Sequence, residues 1–230
     1  MKRILNILGT GIFLFLSSCN SGDEKKAGET PIAPTTMAAA SFKVIMVQHQ
    51  VANFDVWKSA YMAHDSIRQA SGISHFQIGR NTDDSNSLIV IDKISDVQKA
   101  KDFGGSPGLK EIMQKAGVIG APTISYADVV RNDTSKIEYK DRVMIAHRVK
   151  DYDVWLKAYD GEGMNTRMDN GLMDRGIARG VDDPNMVYIV FAITDMVKAK
   201  ARINSEALKK IMTGAGVESA PQISYYRLVD

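Results

Sequence analysis

The sequence predicts an α+β protein built from two tandem copies of one β-α-β-β-α-β unit. Three observations carry this. The segment HQVANFDVWKSAY (residues 49–61) returns as HRVKDYDVWLKAY (residues 147–159). Further on, KEIMQKAGVIGAPTISY, ending at Tyr126, returns as KKIMTGAGVESAPQISY, ending at Tyr225. Between these blocks, RNTDDSN from Arg80 is answered by RGVDDPN from Arg179. The offset is 98 residues early and 99 later, so one insertion separates the copies. A period near 100 residues is too long for a solenoid repeat and matches a whole small domain.

The elements follow in order. Residues 42–49 alternate as a strand, with Ile45, Val47 and His49 on one face and Val44 and Met46 on the other. Asn53, or Asp151 in the second copy, is an N-cap, and Asp55 and Asp153 suit the positive end of a helix. Phe54, Trp57, Tyr61 and His64 then follow helical spacing, as do Tyr152, Trp155 and Tyr159. Gly72 and Gly171 fit helix stops. Residues 73–80 read as a second strand, and residues 88–94 and 187–193 as apolar β-branched strands. Ser95-Asp96 and Thr194-Asp195 cap a further helix, and Ser106-Pro107 restarts it with Pro at the first helical position. Residues 122–130 close the unit with a strand that Pro122 can begin but not interrupt.

Composition is that of a globular protein, 44% hydrophobic and 24% charged. Ahead of the repeats, Lys2 and Arg3 precede an apolar run and then Leu16-Ser17-Ser18-Cys19. This is the layout of a secretory signal peptide, with a run too short to span a bilayer. The ending resembles the lipobox of bacterial lipoproteins, which implies cleavage before Cys19, the only cysteine, and acylation there. Several acyl chains make a stable anchor. Removing Lys2 and Arg3 leaves 27 basic and 27 acidic residues, so no basic field remains for nucleic acid. Asp23 and Glu24 resemble the export signal of some Bacteroidota surface lipoproteins. The expected organisation is a signal peptide (1–18), a lipidated Cys19 and disordered tether (19–40), a first repeat (41–130), a linker (131–140) and a second repeat (141–230). The expected location is the bacterial cell envelope, at the outer membrane.

The β-α-β-β-α-β order is the ferredoxin-like split unit, with helices on one face of a single sheet. The other face, with residues such as Ile124 or Ile89, is too apolar to stay wet, so two copies can bury these faces together. Here the chain resembles the dimeric α/β-barrel superfamily, close to the antibiotic-biosynthesis-monooxygenase-like domains. The likeness rests on the element order, on Val149-x-Asp151-Tyr152-x-x-Trp155, and on Ala215-Gly216-Val217 leading to Pro221. It implies a barrel closed within one chain, hence a monomer.

Candidate site residues divide into repeated and unrepeated ones. His49 and His147 are either a general base or metal ligand in a pocket, or edge-of-core residues bonded to the next loop or to the Trp-bearing helix. Trp57, Tyr61, Trp155 and Tyr159 form aromatic stripes, either a cofactor or ligand box or core whose polar atoms the histidines could satisfy. Arg80 and Arg179 could clamp an anion or pair locally with Asp83 and Asp182. Arg148 stands where the first copy has Gln48, so a barrel-facing Arg148 would be a pocket charge peculiar to copy two. His64, His75, Glu162, Met164 and Arg167 are also read as copy-specific. Gly161 and Gly163 weaken the helix around them, which points to a single, more open site in the second copy.

No Cys-x-x-Cys, His-x-x-x-His, Walker or dinucleotide motif is present, so neither a metal nor a cofactor is expected. The leading expectation is a lipid-anchored barrel that binds a small apolar or aromatic molecule. The alternatives are a cofactor-free monooxygenase or cyclase acting on a quinone-like substrate, a haem-binding barrel using His49, His64, His75 or His147, and a structural envelope module.

Overall fold

A computed structural model describes residues 37–229. The expected signal peptide, Cys19 and most of the expected tether lie outside the described residues.

Each repeat folds as the predicted unit. The first comprises β1 (Ala38–Val51), α1 (Phe54–Ala63), α2 (Asp65–Ala70), β2 (Ile73–Asn81), β3 (Ser87–Ile94), α3 (Val97–Gly104), α4 (Pro107–Lys115) and β4 (Val118–Asn132). The second comprises β5 (Asp141–Arg148), α5 (Tyr152–Glu162), α6 (Met164–Asp169), β6 (Leu172–Gly180), β7 (Met186–Ile193), α7 (Met196–Ile203), α8 (Glu206–Gly214) and β8 (Gln222–Leu228). The caps form as expected: Asn53 Oδ1 accepts from Val56 N at 3.0 Å, Asp151 Oδ1 from Val154 N at 3.0 Å, and Ser106 Oγ from Leu109 N at 3.2 Å. None of the helices is long and apolar enough to cross a membrane, among the described residues.

Each copy contributes four antiparallel strands, ordered β4-β1-β3-β2 and β8-β5-β7-β6. The two sheets join edge to edge through β2–β8 and β4–β6, closing an eight-stranded barrel. Closure removes every unpaired sheet edge. Both copies line the lumen, with Val44, Met46, Ile89, Ile91 and Val129 facing Met144, Ala178 and Tyr226. Tyr226, fully buried, lies across one seam against Gly79, where a Cβ would stand 2.2 Å from its ring.

Several features differ from the sequence expectation. β1 begins at Ala38, inside the expected tether, because Ala38 and Ala39 pair with Asn132 and Arg131. β4 begins at Val118, before Pro122; the ladder is interrupted between Gln48 and Gln50, so Pro122 sits in a bulge where its missing N–H costs no bond. Ile124 packs beneath the helices with Ile45 and Phe103 rather than in the lumen, while Ile89 does face the lumen. The helix before each Gly stop is broken in two, at His64 in the first copy and at Gly163 in the second. α5 runs unbroken through Gly161, so the expected opening of copy two at that glycine does not occur.

Candidate functional site

Strand alternation sorts the candidate residues onto two surfaces. In β1 and β5, Ile45, Val47, His49 and Val143, Ile145, His147 point toward the helices, and the intervening residues point into the barrel. Each repeat therefore has a cleft between its sheet and its helices, with the lumen as a third space.

The first-repeat cleft has a volume of about 110 Å³. Its walls are apolar: Ile45, Val90 and Ile124 from the sheet, with Leu109, Ile112 and Met113 from α4. His49 lies on its floor, its ring 5.3 Å from that of Trp57. Trp57 stacks in turn on Tyr61 at 5.2 Å. Both His49 ring nitrogens are buried without a hydrogen-bond partner, contrary to the expected loop or Trp bond. Burial holds its pKa down to about 4. At the other end, Tyr61 Oη donates to Asp92 Oδ1 at 2.8 Å and lies 3.1 Å from His75 Nδ1. His75 Nδ1 is 3.4 Å from Asp92 Oδ1. Burial raises the Asp92 pKa, while Tyr61 and the Arg68 charge oppose that shift. Burial and the neighbouring Asp92 carboxylate raise that of Tyr61. Arg68 lies over the Tyr61 ring at 3.6 Å and donates to the Tyr61 carbonyl.

The second-repeat cleft keeps the aromatic floor and loses the space. His147 stands 5.9 Å from Trp155, which stacks on Tyr159 at 5.4 Å. His147 is also unpartnered, its pKa lowered by burial to about 4. Around it, Arg167 donates twice to Asp174, at 2.8 and 2.7 Å, and lies over Tyr159 at 3.9 Å. Arg202 pairs with Glu162. These ion pairs and Phe191 leave a cleft of about 70 Å³. The register equates Asp174 with His75 and Phe191 with Asp92, while Phe103 stands where copy two has Arg202. Arg167 is not copy-specific, since Arg68 occupies its place over the corresponding tyrosine. The more open site is thus in the first copy, not the second.

The arginine candidates resolve differently. Arg148 is on the lumen-facing parity of β5 but lies exposed at the rim, bound to Asp183 at 2.8 Å and Glu218 at 2.6 Å. It is not a pocket charge. Arg80 and Arg179 neither meet a cleft nor pair with Asp83 or Asp182. Each donates to a turn carbonyl, Ser85 or Pro184, and stacks on the first helical aromatic, Phe54 at 4.1 Å or Tyr152 at 3.9 Å. They brace the turns. Met164 is the first residue of α6 and does not line the second cleft.

Among the described residues, no three His, Cys, Asp or Glu side chains converge as a metal site requires. Three of the four histidines named for a haem sit in small clefts. His49, His64 and His147 line clefts of about 110 and 70 Å³, well below the ~300–1,000 Å³ of sites for drug-sized ligands.

No protein-family model matches the sequence, and no curated protein matches it significantly. Solved structures do match. An anthrone oxidase-like protein superposes with TM-score 0.57 at 11% identity, over 85% of this chain and 95% of that one. A candidate monooxygenase from Fusobacterium nucleatum gives 0.53 at 10% identity, over 83% and 94%. Another from Lactobacillus acidophilus gives 0.51 at 14%, over 81% and 94%. This chain has the dimeric α/β-barrel fold. At these identities the likeness is one of fold, and the single chain supplies both halves of the barrel.

Asp92, the acidic centre of the first cleft, is not among the residues expected from the sequence. The signal was present: LIVIDKI places an aspartate where the second copy, VYIVFAI, has Phe191. A carboxylate on the buried face of a core strand needs partners, and Tyr61 and His75 supply them.

Proposed function

We propose that the chain binds a small apolar or aromatic molecule in the first-repeat cleft. His49 carries this reading: a buried imidazole with both nitrogens unpaired, facing an apolar space. Buried polar atoms are ordinarily satisfied, so such a group calls for a ligand oxygen or water. The volume, about 110 Å³, is somewhat under the ~150 Å³ engineered cavity that accepts benzene, so one ring is the natural size. The α4 wall has no fully buried residue and can yield on entry. Titration with phenol, followed by calorimetry, tests this. Trp57→Ala should abolish binding, and absence of binding by the wild type would end the proposal.

One observation favours a second reading, cofactor-free oxygenation of a hydroquinone-like ring. Asp92 is a carboxylate made more basic by burial, and the hydrogen bond it accepts from Tyr61 and its contact with His75 offer a route for a phenolic proton. The anthrone oxidase-like neighbour is compatible with that chemistry. Oxygen uptake with hydroquinones, lost in Asp92→Asn while binding persists, would select this reading; binding without uptake would select the first.

We place the protein at the cell envelope through Cys19, on the strength of Leu16-Ser17-Ser18-Cys19. Labelling with radioactive palmitate in a bacterial host, lost in Cys19→Ser, is the expected result.

A further inference from the structure

We propose that the barrel lumen is a second binding site, which takes a carboxylic acid with an apolar body and holds its carboxylate on Arg142. The lumen contains a cavity of about 290 Å³, lined by every strand except β8. That is about twice the ~150 Å³ cavity that accepts benzene, room for two fused rings. Its body is apolar, with Phe42, Phe76, Met46, Met144 and Val190 among its walls.

The charge is set at one end. Arg142 is 6% exposed. One of its nitrogens, Nη1, donates to the carbonyls of Tyr139 at 2.6 Å and Asp141 at 3.0 Å. Among the described residues no carboxylate forms an ion pair with it. Its neighbour Arg175 is different: Nη1 meets Asp133 at 2.7 Å and Ser135 Oγ at 3.1 Å, and Nη2 donates to the Ser135 carbonyl at 2.9 Å. Arg142, Arg175 and Asp133 together carry a net positive charge, and the Asp141 carboxylate, which also acts on Arg142, is engaged by Arg227 at 2.9 Å.

A buried guanidinium without a counter-ion is unfavourable unless something anionic meets it. Its planar donor fork suits a carboxylate. The copies show that the fold does not require it: the register puts Arg142 where the first copy has Val44, and Arg175 where it has Phe76. Both copies supply the apolar wall, and the two arginines come from the second.

The test is calorimetry of the purified protein with 2-naphthoate and its neutral counterpart 2-naphthamide. Naphthoate should bind at least tenfold more tightly, and Arg142→Met should remove that preference while leaving phenol binding at the first cleft unchanged. Equal affinities, no naphthoate binding, or a folded Arg142→Met that keeps the preference would each overturn the proposal. Should Arg142→Met not fold, wild-type protein labelled at methionine methyls decides. Naphthoate must shift Met46 and Met144; shifts confined to Met113 or Met212, which line the clefts, would overturn it.

Discussion

The two buried histidines give the clearest residue-scale prediction. His147 is neutral in the folded chain, with its pKa lowered from 6.5 to about 4 by burial. Above 6.5 neither state is charged. As pH falls from about 6.5 toward about 4, the unfolded chain takes up a proton that the folded chain refuses, so stability falls across that window and levels off below it. The loss is on the order of 3 kcal/mol. Urea unfolding at pH 7.5 and pH 4.5 should show wild type losing about 2–3 kcal/mol more than His147→Phe. An equal loss would mean that the imidazole is charged or solvated in the fold. The sequence leaves two readings of these histidines open, a base or ligand in a pocket or a hydrogen-bonded edge of the core, and the hydrogen bonds of the second are not made. Alternation along a strand fixes which face a side chain takes, and the cavity in front of it is invisible until the helices are in place. Arg148 was misjudged for a related reason. Its parity was legible, but its position at the rim, beside Asp183 and Glu218 from two separate loops, was not.

At the scale of elements, local chemistry decides the boundaries and long-range pairing decides the exceptions. Gly171 illustrates the legible part. It takes a left-handed φ of 78° after α6, and a Cβ there would stand 2.5 Å from the Asp195 carbonyl oxygen. Gly171→Ala should cost roughly 2 kcal/mol or more in unfolding free energy, combining backbone strain and the clash. The ion pairs beneath α5 and α6 were not legible, because Asp174 lies on β6 and Arg202 on α7. Asp174→Ala leaves Arg167 buried with half its partners, and a loss of roughly 3 kcal/mol is expected in chemical denaturation. A loss below about 1 kcal/mol would show that the network is not what closes the second cleft. Pro122 and Ile124 misled for one reason: the bulge between Gln48 and Gln50 carries β4 past a proline and resets which face its later residues take.

For the whole molecule, duplication was the most legible feature, and it carried the barrel with it. A one-sided sheet must cover its apolar face, and a second copy on the same chain covers it without a partner. We therefore expect a monomer in sedimentation equilibrium of the purified protein; a dimer with concentration-dependent dissociation would contradict this. Where the function resides was less legible. The copies disagree as anticipated, but the disagreement that matters is His75, Asp92 and Phe103 against Asp174, Phe191 and Arg202, which opens the first cleft and fills the second. The most direct measurement uses the four histidines as reporters, with ring-labelled histidine and NMR titration of phenol. The account predicts that the His49 and His75 ring resonances shift saturably while His147 stays still. Equal movement of His147, or no saturable shift at His49, would contradict it.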